Sequence, residues 1–400
     1  MGETLLILGA SARAAAQSSR RAGFTSVCGD LFADLDLREC ATATSVADFP
    51  SGLVAVARAA PPGPWMYTGG LENYPALVER ITATRPLLGN PAAVLRRVRD
   101  PFLTTDKLRC AGLDVPECQA QAPVLFRCEP GTPPQRWLCK GRRSSGGNQV
   151  HFWRASEPQA SNEGQSYFQQ WIKGQSCGAV YVAAGREARL LGVTEQLLAS
   201  SETNERETDD NHFRYAGSVG PLPLSPGIRT TFERIGQTLS REFELTGLFG
   251  VDAILDGDRV WPVEVNPRYP ASAEIIDWAL KSWGPKSSVV GWHFTACRDG
   301  ELPVVPMPTI DRWHGKRICF ARREMVISAE FVKRAIDWNA GRPWPAIADI
   351  PAPETRFCMG QPIFTILAEG PSRELVLERL AEVEHELSAV LSSNLPRSFL

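Results

Sequence analysis

Two carboxylates and a carboxamide stand at a spacing that suits a divalent cation. In the run FGVDAILDGDRVWPVEVNPR, Phe249 to Arg268, Asp252 precedes Asp256-Gly257-Asp258, and Glu264 and Asn266 follow it two residues apart. The flanking stretches are strand-like and the middle is a turn signal, so the segment reads as an antiparallel hairpin. Residues two apart on a strand share a face. With a three-residue loop at 256–258, residue 252 pairs with 262. Asp252 and Glu264 are then diagonal neighbours on one face, their Cα atoms roughly 7–8 Å apart. A two-residue loop would put them on opposite faces. Hard oxygen donors of this kind suit Mg²⁺ shared with phosphate oxygens. The alternative is a charged, solvated face, although Val251, Ile254, Val263 and Val265 argue for a sheet packed on one side. Spacing alone leaves both readings open.

A second group could meet an anion. Lys140 ends the strand-like run Arg136 to Cys139 and precedes Gly141-Arg142-Arg143-Ser144-Ser145-Gly146-Gly147. Backbone N–H groups at Ser144, Ser145, Gly146 and Gly147 can cradle phosphate oxygens while the ammonium neutralises them. A flexible basic surface turn is the competing reading. Other constellations carry less. Glu205, Glu207, Asp209, Asp210 and His212 lie in a polar run best read as a solvated loop. The five histidines are scattered, and there is no G-x-S-x-G elbow or GxxxxGK[ST] loop. The turn Gly9-Ala10-Ser11-Ala12-Arg13 has one glycine of a GxGxxG pattern, which leaves dinucleotide binding unsupported. Its helix N-terminus can still face an anionic substrate group.

These residues need a scaffold, and 400 residues imply two or three domains. Leu5 to Leu8, Phe24 to Val27, Val54 to Ala57 and Trp65 to Tyr67 read as strands. Helical stretches at Ser11 to Ala22 and Pro75 to Ile81 indicate a doubly wound parallel sheet over residues 1–90. Helices are expected at Pro91 to Val98, Thr104 to Ala111 and Arg229 to Glu244, and a last one from Arg373 to about Ser393. Pro303, Pro306 and Pro308 suggest a boundary, giving a middle domain at 91–305 and a C-terminal α+β domain at 306–400. The formal net charge of −2 supplies no basic field for nucleic acid, so an anionic ligand must be held locally. Ten cysteines without a CxxC pair suit free thiols in a reducing cytosol better than a zinc site. No signal peptide or apolar span of roughly 20 residues is evident. A cytoplasmic protein without membrane partners is expected.

The run Val263-Glu264-Val265-Asn266-Pro267-Arg268, with Asp252 upstream, resembles the E-x-N-P-R form of the ATP-grasp superfamily. The wider chain is similar to its carboligase-like group, related to biotin carboxylase and D-alanine–D-alanine ligase. The resemblance implies an ATP-grasp fold: a pre-ATP-grasp α/β domain, a lid subdomain at about 113–172, and a small C-terminal domain. It implies ATP and Mg²⁺ as cofactors, with Asp252, Glu264 and Asn266 as metal ligands. Lys107 and Lys140 correspond to the two family lysines, with Ser144 to Gly147 beside the phosphates. Gln169-Gln170-Trp171-Ile172-Lys173-Gly174 is similar to the family's adenine hinge, placing Gln170, Trp171 and Ile172 at the base. Where the family often has a ribose glutamate, this chain offers Gln175 or Ser176. Arg268 and Lys140 are the implied catalytic residues. The implied reaction joins a small-molecule carboxylate to an amine through an acyl phosphate. Relatives with the N-terminal pattern suggest amino-acid addition in one-carbon cofactor biosynthesis, of methanopterin or methylofuran type. A biotin-carboxylase-like carboxylation and a non-catalytic ATP-binding subunit are the alternatives. A homodimer is compatible with the family.

Overall fold

The computed structural model describes residues 2–123, 135–154, 164–199, 213–280, 287–304, 312–342 and 344–393. The acidic run at 205–212 and the prolines at 306 and 308 lie outside them. The N-terminal part is a parallel sheet of β1 (Thr4–Leu8), β2 (Thr25–Asp30), β3 (Thr42–Ser45) and β4 (Trp65–Tyr67), in the order β3-β2-β1-β4. Helices α1 (Arg13–Arg21), α2 (Leu35–Cys40), α3 (Leu53–Ala59) and α4 (Pro75–Thr82) alternate with the strands. The segment expected as a strand at Val54 to Ala57 is therefore α3, whose buried Leu53, Val54 and Ala57 follow helical spacing. The Gly9 turn has a steric cause: a Cβ there would lie 1.9 Å from Thr68 Oγ1. Asp30 closes the turn by accepting from the backbone N–H groups of Ala12, Phe32 and Ala33.

Helices α5 (Ala92–Val98) and α6 (Pro101–Cys110) follow. The Asp100 carboxylate accepts from Phe102 and Leu103 N–H, and Pro101 takes the first helical turn, where its missing N–H costs nothing. A four-stranded sheet comes next: β5 (Cys118–Gln119), β6 (Trp137–Gly141), β7 (Val150–Phe152) and β8 (Ser166–Gln170).

The centre is an eight-stranded sheet. Strands β9 (Gln175–Ala184), β10 (Glu187–Leu198) and β11 (Tyr215–Gly220) lead to α7 (Pro226–Phe243), then to β12 (Gly247–Asp256) and β13 (Arg259–Asn266). After α8 (Ala273–Leu280) and α9 (Val289–Arg298), β14 (Trp313–Phe320), β15 (Met325–Val326), α10 (Ala329–Asn339), β16 (Ile347–Ala348), β17 (Arg356–Phe357), β18 (Pro362–Gly370) and α11 (Arg373–Ser393) complete the chain. Strands β14, β18 and β16 extend the same sheet, in the order β13-β12-β9-β10-β11-β14-β18-β16, so hydrogen bonding runs unbroken into the C-terminal segment.

Strand β9 explains why the sheet is buried on both faces. Val180 and Val182 pack with the N-terminal sheet, α8 and α9, while Tyr181 and Ala183 pack beneath α7. Helix α7 places Phe232, Ile235, Leu239 and Phe243 on one fully buried stripe. Burying each such side chain contributes roughly 1.5–3 kcal/mol. Val251 and Ala253 also face α7, so the intervening Asp252 points to the opposite face of the sheet. No helix among the described residues is long and apolar enough to cross a membrane.

Candidate active site

The turn between β12 and β13 contains two residues, with Asp256 opposite Arg259. Continued regularly, that register would set Asp252 opposite Val263 and turn Glu264 to the wrong face. A β-bulge intervenes: Ala253 pairs with Pro262, but Asp252 pairs with Glu264. Val263 is the extra residue. The expected three-residue loop and diagonal pair are thus replaced by a tight turn, a bulge and a direct cross-strand pair. Directly opposed residues share a face, with Cα atoms roughly 4.5–5.5 Å apart. Strand β13 is at the sheet edge, where both a bulge and Pro262 are tolerated.

The two carboxylates have unlike surroundings. Asp252 accepts from Gln196 Nε2 at 2.7 Å and from Asn266 Nδ2 at 3.0 Å. Burial and the neighbouring Glu264 push its carboxyl up to about 6. Glu264 is half-buried, and desolvation raises its carboxyl. Arg99 and Lys140 more than offset this and hold it below its ordinary value, with Arg99 Nη1 2.5 Å from Oε1. Lys140 is buried. Its ammonium donates to Gln169 Oε1 at 3.1 Å and to the Val263 carbonyl at 3.4 Å. Burial lowers the Lys140 pKa, but Tyr167 and Glu264 outweigh it and the ammonium is held more firmly than usual.

Asn266 is oriented otherwise than as an oxygen ligand. Its nitrogen donates to Asp252, and its Oδ1 accepts from Arg268 Nη2 at 3.0 Å. Arg268 also donates from Nε to Glu72 Oε1 at 3.0 Å and from Nη1 to the Tyr269 carbonyl at 3.2 Å. Arg268 thus joins the hairpin to the N-terminal sheet.

A cavity opens beside Glu264, lined by Arg99, Thr105, Arg142, Ser144, Tyr167 and Gln169 among others. The loop after β6 closes one side. The Ser144 carbonyl accepts from Arg99 Nη2 at 3.1 Å and from Asn73 Nδ2 at 3.4 Å, and the Gly146 carbonyl accepts from Tyr215 N–H. Gly147 has φ +77°, and a Cβ there would lie 1.8 Å from the Phe213 carbonyl oxygen, so glycine is required. The N–H groups of Ser145, Gly146 and Gly147 donate to no protein group among the described residues.

Several expected site residues stand elsewhere. Lys107 projects from α6 to Glu242 on α7, with Nζ 3.0 Å from Oε2, on the exposed side of the helix. Pro101, Thr104, Thr105 and Leu108 are the α6 residues that line the cavity. The cation beside Glu264 is Arg99, in the short link between α5 and α6. The Gln170 N–H donates to the Glu117 carbonyl at 2.8 Å and is not free for a base. The Trp171 N–H donates to the Arg136 carbonyl, while its ring packs edge-on against Phe152 beneath the Arg136 guanidinium. Ile172 follows the end of β8, half-buried, and Gln175 is exposed at the start of β9 opposite Leu255. The β8 side chains that line the cavity are Tyr167 and Gln169. Gln169, Gln196, Glu72, Asn73 and Arg99 were not singled out from sequence. Only strand alternation, which sets Gln169 on the face opposite Gln170, offered a signal.

A family model for the ATP-grasp domain matches residues 98–272, from the end of α5 to the turn before α8. Residues 98–272 are an ATP-grasp domain. The match takes in Arg99, Lys140, the glycine loop and the Asp252–Glu264 pair. Among curated proteins, the formate-dependent phosphoribosylglycinamide formyltransferase of Variovorax paradoxus is 26% identical over 138 residues, 28% of this chain and 34% of that protein. The match thus spans about a third of that relative's length. The L-amino acid ligase from Bacillus licheniformis superposes with a TM-score of 0.64 at 14% identity, over 96% of this chain and 98% of that one. The biotin carboxylase domain of the Hydrogenobacter thermophilus 2-oxoglutarate carboxylase, solved with MgADP, ADP and bicarbonate, superposes with a TM-score of 0.68 at 12% identity, over 94% and 88%. The ATP-grasp fold, with a parallel sheet at the N-terminus and a large antiparallel sheet behind it, is therefore shared over nearly the whole chain.

Proposed function

We propose that this chain is an ATP-dependent carboxylate–amine ligase that works through an acyl phosphate and releases ADP. The observation that carries this reading is the direct pairing of Asp252 with Glu264, with Arg99 and Lys140 as the cations around Glu264 and a cavity lined by Glu264 and Arg99. Two half-buried carboxylates face each other in this pair, and Asp252 is pushed up by desolvation and by Glu264. That is the electrostatic condition a hard divalent cation relieves, so the residues fit Mg²⁺. Asp252 and Glu264 would hold it, with Asn266 serving as a donor that orients Asp252. Bound Mg²⁺ would neutralise phosphate charge and orient the terminal phosphate.

The protein's part is positioning and charge compensation. Lys140 and Arg99 meet phosphate oxygens, and the N–H groups of Ser145 to Gly147 offer further donors. A carboxylate oxygen of the first substrate attacks the γ-phosphorus as the bond to ADP breaks. The amine nitrogen then attacks the acyl carbon, inorganic phosphate leaves, and the amine gives up a proton to solvent or phosphate. No side chain need form a covalent bond. Arg268 stands where the N-terminal sheet meets the hairpin and faces the transferring group. The acceptor cleft lies between the Gly9 turn, the Tyr215 strand and Arg268. The Arg13 guanidinium at that turn is already bound to Glu274 and Asp349, and Ser11 is the exposed residue of the turn. The finer reading is amino-acid addition to a one-carbon cofactor precursor of methanopterin or methylofuran type, by a cytoplasmic homodimer.

ADP release with panels of carboxylate and amine pairs is the direct test. One productive pair, with Glu264→Ala lowering its turnover at least a hundredfold, is the expected result. Full turnover by Glu264→Ala would remove the metal assignment. Release that depends on bicarbonate would assign a carboxylation instead. Tight ATP binding with no release over the whole panel would favour a non-catalytic subunit.

A further inference from the structure

We propose that Gln169 is a positioning residue that fixes the Lys140 ammonium by bracing it against the β-bulge of the carboxylate hairpin. The inference rests on the ATP reading of the cavity. Gln169 is almost fully buried on β8, and its carboxamide has a different partner at each end. Oε1 accepts from Lys140 Nζ at 3.1 Å, and Nε2 donates to the Val263 carbonyl at 3.2 Å, with Cys118 Sγ a further 3.7 Å contact. Turned over, the carboxamide would set its NH₂ against an ammonium and its oxygen against a carbonyl. Both ends would then be repulsive, so the partners dictate one orientation.

The Val263 carbonyl is available because of the bulge. Its residue is the one left without a cross-strand partner between Ala253–Pro262 and Asp252–Glu264. The same extra residue therefore does two things. It sets Asp252 opposite Glu264, and it supplies the acceptor that Gln169 and Lys140 share. Lys140 belongs to the four-stranded sheet and Val263 to the eight-stranded one, so Gln169 links the two sheets across the cavity.

The chemistry of this link suits a phosphate-binding lysine. A lysine side chain has four rotatable bonds, and a buried ammonium without acceptors is costly. Gln169 and Val263 supply neutral oxygens. They restrain the ammonium without adding negative charge of their own, beside the Tyr167 hydroxyl and the charge of Glu264, whose closest cation is Arg99. Lys140 thereby keeps its positive charge for an incoming anion at a set distance from the carboxylate pair.

The test uses the full chain, with ATP, ADP and AMP binding measured by calorimetry in Mg²⁺ for wild type, Gln169→Met, Lys140→Met and the double variant. Methionine is nearly isosteric and can neither accept nor donate strongly. Gln169→Met should weaken ATP on the order of tenfold, as expected for losing a hydrogen bond to a charged group, and leave AMP within about twofold. In the Lys140→Met background the same change should have no further effect on ATP. A loss shared equally by AMP, or a loss that adds to that of Lys140→Met, would show a general structural role and overturn the proposal. Should Gln169→Met fail to fold, Gln169→Glu serves. It keeps an oxygen for Lys140 but sets the other against the Val263 carbonyl and neutralises the ammonium, and should weaken ATP by about tenfold or more while leaving AMP within about twofold. Equal ATP affinity in wild type and the Gln169 variants overturns the inference alone, whereas a wild-type chain that binds no ATP overturns the ligase reading with it.

Discussion

Arg268 and Glu72 form a nearly waterless ion pair, with side-chain exposures of 9% and 1%. Glu72 Oε1 accepts from Arg268, and its Oε2 has no partner. Removing the arginine leaves a buried carboxylate uncompensated, which typically costs about 3–5 kcal/mol. Arg268→Met should therefore unfold at markedly lower urea, and adding Glu72→Gln should recover much of the loss. An unchanged midpoint in the single variant would show that the pair is not desolvated in solution. The same pair illustrates what spacing can convey. The types and order of Asp252, Glu264 and Arg268 are local facts of one hairpin, whereas Glu72 lies 196 positions from Arg268. No local pattern announces such a partner.

Helix α9 and the lid loop show how elements set the site. His293 on α9 accepts at Nδ1 from Leu248 N–H at 2.8 Å and meets the Leu88 carbonyl through Nε2 at 3.1 Å, so the ring is neutral with its proton on Nε2. Burial lowers its pKa to about 4. The unfolded chain takes up a proton near pH 6.5, while the folded chain resists until about 4. This contribution is complete above about 6.5 and is lost as pH falls toward 4. The thermal midpoint should accordingly fall between pH 7.5 and 5, and His293→Gln should flatten that fall. In the lid, Gly147→Ala places a methyl against the Phe213 carbonyl at a positive φ. ATP affinity should drop several-fold while the thermal midpoint moves by only a few degrees, because the loop carries little of the core. The sequence signalled this Gly-Gly loop because turn residues are chosen by backbone conformation. It did not signal the bulge at Val263, since a bulge depends on how β13 packs rather than on what precedes it.

At the scale of the whole molecule, Arg13 ties three regions together. From α1 it donates to Asp349 near β16 at 2.9 and 3.1 Å and to Glu274 on α8, and lies 3.6 Å from Asp36 on α2. Lys316 on β14 donates to Glu274 at 3.2 Å, and Thr365 on β18 to Asp349 at 2.6 Å. Burial, and Asp349 with Asp36, push the neighbouring Asp34 carboxyl up to about 9. Arg13→Met would strand several carboxylates, at a cost of about 3–5 kcal/mol. Scanning calorimetry should show a lower midpoint and a transition that separates into two. Arg13→Lys should not restore it, because an ammonium lacks the planar fork that serves Asp349 and Glu274 together. A single, unshifted transition would mean that the cores alone dock these regions.

Taken residue by residue, single stretches of the chain already carry the carboxylate hairpin, the lysine before a glycine loop, and the alternation of strands and helices at the N-terminus. Each depends on residue type and short-range period, which the chain carries in one dimension. Tertiary structure decided the rest. Lys107 and Arg99 are equally plausible cations by type, but the side of α6 that carries Lys107 packs toward α7, and Arg99 falls beside Glu264. Gln170 and Gln169 are neighbours of one kind, and the pleat of β8 gives the cavity only Gln169. Arg13 meets carboxylates 261 and 336 positions away. Burial and charge compensation are set by which surfaces come together, and that is a property of the packed molecule rather than of any stretch within it.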